Sequence, residues 1–119
     1  MPPRFPGPPH FEDRHLELAS GSHGLFHVEG RFPAAQQALI DECHKYLKGH
    51  PGEVYFSAGT LVPDLARPVN DRAFHVCLNV VFDSRKAQDD YQVAPRHIEF
   101  IEKNKANWAQ VRVFDSYVG

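Results

Sequence analysis

Cysteine is scarce in this chain, with only Cys43 and Cys77 among 119 residues. Two thiols cannot build the disulfide framework of a small secreted scaffold. Each lies inside an apolar periodic segment, one helical and one extended, so both read as reduced, buried, small hydrophobes. There is no CxxC and no Cys/His pair at zinc spacing, so no metal site is expected. The eight histidines fall at 10, 15, 23, 27, 44, 50, 75 and 97, and no two stand at i and i+4 on one helix. Long apolar runs are also missing; none approaches the roughly 20 residues that span a bilayer. The opening MPPRFPGPPHFEDRH has no apolar core of a secretory signal, so a cytoplasmic location is expected, without membrane association. Charge of one sign is nowhere concentrated. With a net charge of −2 and scattered Lys and Arg, nucleic acid is not an expected partner. Neither GxGxxG nor a P-loop lysine motif appears, and no cofactor is expected.

What is present fits one soluble globular domain: 42% hydrophobic and 24% charged residues. Residues 1–20 form a separate regime, a Pro-rich arm with five prolines in its first ten residues, and residues 21–119 form the domain. From Leu25 to Phe32 the pattern alternates as a strand, with Phe26, Val28 and Phe32 on one side. Pro33 suits the first position of a helix, on which Leu39, Ile40, Cys43 and Leu47 make one apolar stripe. Gly49 and Pro51-Gly52 stop it. Strands are expected at Glu53–Val62 and Arg72–Phe82, separated by a proline-containing loop.

The most informative stretch is Asp83 to Val118. Asp83-Ser84 can cap a helix, Pro95 interrupts and restarts it, and Ile98, Ile101 and Trp108 supply its buried stripe. A last strand, Gln110–Val118, follows. The order β-α-β-β-α-β predicts an α+β, ferredoxin-like domain: a four-stranded antiparallel sheet with both helices on one face. The other sheet face is too apolar for water, through Cys77, Val81 and Phe114 in particular. A second copy packed sheet to sheet is the economical cover, so a homodimer is expected. On that reading His75, Cys77 and Asn79 face the partner.

Four pieces in order, HPGEVYFSAG, FHVCLNVVFDS, DDYQVAPRHIEFIE and VRVFDSYV, resemble the stress-responsive α/β-barrel (Dabb) proteins over residues 25–118. The resemblance implies ferredoxin-like subunits that dimerise into an α/β barrel, mostly without an assigned reaction. One plant branch of the family is a polyketide cyclase that uses a Tyr and a His in a pocket between helices and sheet. That pair falls on Tyr91 and His97, with Ile40, Cys43, Leu78, Trp108, Val111 and Val113 as implied pocket walls. An aldol cyclisation needs a base for the proton alpha to a carbonyl, here His97, and a donor to the oxyanion, here Tyr91. Where that branch has two further pocket histidines, this chain has Phe26 and Val76. His27 and His75 stand one residue away, on the opposite strand face.

Taken singly, Tyr91 reads as an aromatic closing the core and His97 as a half-buried histidine near a helix start. Taken together they support two readings. The first is a homodimer that binds a small apolar molecule between helices and sheet. The second is a cofactor-free enzyme of the cyclase or isomerase type. A haem-degrading monooxygenase of the same superfold would need an axial His or a Trp/Asn arrangement, and the sequence places neither.

Overall fold

The computed structural model describes residues 18–28 and 33–119. In chain order these form strand β1 (Ala19–Val28), helix α1 (Pro33–Leu47), strands β2 (Glu53–Thr60) and β3 (Val76–Phe82), helices α2 (Arg85–Gln92) and α3 (Pro95–Asn104), a 3-10 turn (Lys105–Asn107) and strand β4 (Trp108–Val118). The Pro-rich arm up to residue 17 lies outside the described residues, as do residues 29–32, where the first strand was expected to end. The strands make one antiparallel sheet in the order β2-β3-β1-β4. With the helices packed on one of its faces, this is the ferredoxin-like arrangement.

Alternation on β3 divides the two faces. Val76, Leu78, Val80 and Phe82 are buried beneath the helices, while Cys77, Asn79 and Val81 are half-buried on the open side. The α1 stripe of Leu39, Ile40, Cys43, Tyr46 and Leu47 closes over this layer, joined by Tyr91 from α2 and Phe100 from α3. The core therefore sits between one sheet face and three helices.

Four strand bounds differ from the sequence expectation, one of them the end of β2, at Thr60 rather than Val62. The strand β1 opens at Ala19 rather than Leu25. ASGSHG has weak strand propensity, but this segment is central and pairs with both β3 and β4. Tertiary pairing overrides local preference there. In β3 the ladder starts at Val76, not Arg72, because its partner β2 pairs only as far as Thr60, opposite Val76. The interruption expected at Pro95 divides the second helical segment into α2 and α3. Pro95 drives Ala94 into extended backbone (φ −65°, ψ 140°) and occupies the first turn of α3. Finally, Trp108 is the first residue of β4, and Ile98 is 48% exposed, while Phe100 is 2% exposed and fills the core.

Local chemistry fixes the joints. The Ser84 hydroxyl caps α2 by accepting from the Ala87 amide at 3.1 Å. Arg96, one residue before His97, donates to the Lys45 and Lys48 carbonyls at 2.8 and 3.0 Å. It thereby satisfies the open C-terminal end of α1 and ties α3 to it. Gly52 in the next turn has φ +82°, and a Cβ there would meet the Ala87 Cβ at 2.5 Å. Only glycine fits that approach.

Candidate functional site

Tyr91 ends α2 and His97 opens the first turn of α3, so the break at Pro95 brings the two side chains together. Their rings lie edge to face with centroids 4.6 Å apart. Tyr91 is held on its other sides by Phe82 and by His50, each 4.9 Å away between centroids. His50 is itself anchored, its Nε2–H donating to the Tyr46 carbonyl at 2.7 Å. The phenol is packed in place rather than hydrogen-bonded in place.

Above the sheet, beside this pair, lies a cavity of about 210 Å³. Tyr91 and His97 line it, as do Leu78, Trp108, Val111 and Val113. The remaining implied wall residues, Ile40 and Cys43, are placed in the core under α1 and do not line this cavity. Phe26, at one of the positions where the resemblance implied a pocket histidine, lines it too, as do Ile101 of the expected buried stripe and Phe100, which had not been singled out. Phe100 and Ile101 follow His97 by three and four residues, a helical spacing that puts all three on one face of α3. Trp108 tilts over Phe26 at 5.0 Å and Phe100 at 5.6 Å between centroids. The lining is largely apolar.

Two ring nitrogens of the lining residues are under-used. Among the described residues, His97 Nδ1 and Trp108 Nε1 are buried without a hydrogen-bond partner. Buried polar groups ordinarily find partners, since leaving one unmade costs about 1–3 kcal/mol. Burial, and behind it the Cys43 and Glu53 side chains, pushes the Tyr91 phenol well above its ordinary range. Burial, with the neighbouring His50, lowers the His97 pKa below 6.5, while the Gln92 backbone opposes this. At neutral pH the site thus presents a neutral imidazole, able to accept a proton, beside a protonated phenol, able to donate a hydrogen bond.

His27 and His75 lie on the open sheet face, away from the cavity, with ring centroids 4.5 Å apart. His75 Nδ1 accepts from the Val28 amide at 3.1 Å. Phe26 and Val76 occupy the helix-facing positions and are 4% and 0% exposed. No group of three or more His, Cys, Asp or Glu that could hold a metal ion occurs among the described residues.

Solved structures with this arrangement are similar over most of their length. A Dabb-family protein with a ferredoxin-like fold from Mesorhizobium loti superposes with a TM-score of 0.69 at 15% identity, covering 83% of this chain and 95% of that one. A dimeric ferredoxin-like protein of unknown function from Thermobifida fusca gives 0.70 at 16% identity, with 85% and 92% covered. The hydroxynitrile lyase of Passiflora edulis gives 0.68 at 17% identity, with 87% and 95% covered. No curated protein sequence matches the chain. The sequence profile of the stress-responsive A/B barrel domain matches residues 25–118. With that match over most of its length and the ferredoxin-like sheet beneath it, the chain belongs to the Dabb stress-responsive A/B barrel family.

Proposed function

We propose that this Dabb domain works as a homodimer whose cavity binds a small, mostly apolar molecule carrying a carbonyl or hydroxyl oxygen. The observation that carries the reading is the pair of buried, unpartnered ring nitrogens, on His97 and Trp108, at the edge of an apolar cavity. A ligand oxygen would accept from the Tyr91 hydroxyl or the Trp108 N–H, and a ligand hydroxyl would donate to His97. Apolar walls with a few convergent polar groups are the usual make-up of such a site. Ile40 and Cys43 would support the cavity from behind rather than touch the ligand. The test is an NMR screen of short aliphatic and aromatic ketones and alcohols against wild type, His97→Ala and Tyr91→Phe. Ligands that shift the Tyr91, His97 and Trp108 resonances are expected, with weaker binding in both variants. A panel that leaves those resonances unmoved overturns the reading.

One observation favours a second reading, a cofactor-free proton-transfer enzyme. His97 is held neutral beside a protonated phenol, as a base and an oxyanion donor must be. His97 would take a proton alpha to a ketone carbonyl, and the C–H electron pair would move into an enolate. The Tyr91 hydroxyl would donate to the enolate oxygen. Attack of that carbon on a second carbonyl closes a ring; reprotonation elsewhere isomerises the substrate. The Passiflora neighbour is named as an enzyme on the same fold. Deuterium exchange at ketone alpha positions checks this reading. Exchange that survives undiminished in His97→Ala and in Tyr91→Phe removes the pair from any catalysis.

The homodimer rests on the open sheet face and on neighbours described as dimeric. Among the described residues no helix is long and apolar enough to cross a membrane.

A further inference from the structure

The helix-facing side of β1 and β4 changes character along its length. Around Tyr91 and His97 it presents Phe26 opposite Val111, then Gly24 opposite Val113. Further on, the same face presents Ser22 opposite Asp115 and Ser20 opposite Tyr117. Glycine and two serines on β1 give α2 nothing bulky to rest on there. A second hollow, of about 410 Å³, opens between α2 and β4 and has a more mixed, more polar lining than the first. Gln92 and Val113 line both hollows, so the two meet at a shared wall.

We propose that this groove holds the neutral, hydroxyl-rich end of the ligand whose apolar end lies against Tyr91 and His97. The inference rests on the ligand-binding reading above and adds to it the ligand class, an amphiphile with a sugar-like head. The floor of the groove is a fixed polar chain. Gln88 is 6% exposed; its Oε1 accepts from the Ser20 hydroxyl, and its Nε2 donates to Asp115 Oδ1 at 3.0 Å. Both ends of the Gln88 amide are spent, so its orientation is set. The Asp115 carboxylate keeps acceptor capacity for hydroxyl donors. Arg85 is committed to Asp89 at 2.9 Å and to the Tyr117 hydroxyl at 3.2 Å. The lining therefore carries two carboxylates against one paired guanidinium, which disfavours an anionic head. The space is larger than a single ammonium needs and suits a ring bearing several hydroxyls.

The test uses the full chain and four probes sharing one apolar tail: hexyl β-glucoside, hexanol, hexyl sulfate and hexylammonium. Calorimetry should show the glucoside binding about tenfold or more tighter than hexanol, the worth of one or two hydrogen bonds to a charged acceptor. Hexyl sulfate and hexylammonium should fall below the glucoside. Asp115→Ala, at an exposed strand position, should erase the glucoside advantage and leave hexanol binding unchanged. Should that variant lose its native NMR spectrum, contacts in wild type between sugar protons and the Gln88 amide protons decide instead. Hexanol that binds at Tyr91 and His97 while the glucoside gains nothing, or an ammonium head that outbinds the glucoside, overturns this inference alone. Failure of every probe to reach Tyr91 and His97 overturns it together with the reading beneath it.

Discussion

At the scale of single residues, burial does most of the chemical tuning. Because His97 titrates below 6.5 in the folded chain, the unfolded chain binds more protons just below neutrality. Its contribution to stability is complete above about pH 6.5 and drains away as pH falls below that value. Two outcomes follow. The His97 ring protons should titrate with a midpoint under 6.5, followed by NMR, and His97→Gln should flatten part of the acid limb of the unfolding curve. His50→Gln keeps a donor for the Tyr46 carbonyl but removes the second cause of the shift, so the His97 midpoint should rise part of the way back. A midpoint unmoved in that variant would assign the whole shift to burial. The same burial pushes the Cys43 thiol up to about 12, where almost no thiolate exists at neutral pH. Thiol reagents should leave Cys43 untouched in the native protein and modify it at the rate of unfolding.

At the scale of elements, the joints decide what was legible in the sequence. The order of strands and helices followed from alternation, from Pro33, and from the Gly49 and Pro51-Gly52 stops, all local signals. What was not legible was set by partners distant in the chain. The polar first half of β1 becomes a strand because it lies between β3 and β4. Arg72 to Phe74 do not join β3 because β2 ends opposite Val76. The site followed a similar rule. Tyr91 and His97 were visible through resemblance, and their meeting depends on the local break at Pro95. The placement of Ile40 and Cys43 behind the cavity depends on how α1 rotates over the sheet, which the stripe alone does not set. The two turn glycines give a clean comparison. Gly49 and Gly52 both hold positive φ, but a Cβ on Gly49 meets nothing within 4 Å, while on Gly52 it collides with Ala87 and Asp83. Gly49→Ala should cost about 1–2 kcal/mol for the left-handed backbone alone. Gly52→Ala should cost distinctly more and shift α2, on which Tyr91 sits. Equal losses in urea unfolding would mean that α2 yields freely.

At the scale of the whole molecule, the unanswered surface is the open sheet face. It carries Leu25, Cys77 and Val81 half-buried and Tyr55, Phe114 and Val118 exposed, with Phe114 at 52%. The polar groups on it are largely paired within the subunit. His23 donates to Asn79, whose amide nitrogen also reaches the Ser57 hydroxyl at 3.4 Å, and Arg112 is tied to Asp71. A face whose polar groups are already satisfied loses little by leaving water, and its apolar residues gain by it. A stable pair of subunits needs roughly 800 Å² from each, and a four-stranded sheet face offers an area of that order. Phe114 sits on β4 opposite His23, inside this face. Phe114→Asp should therefore convert a dimer at micromolar concentration into a monomer by light scattering, since a carboxylate there would be desolvated without a partner. Tyr91→Phe, on the other side of the sheet, should leave the dimer intact. A wild-type monomer, or a Phe114→Asp dimer of unchanged affinity, would separate this chain from its dimeric neighbours and return the open face to solvent.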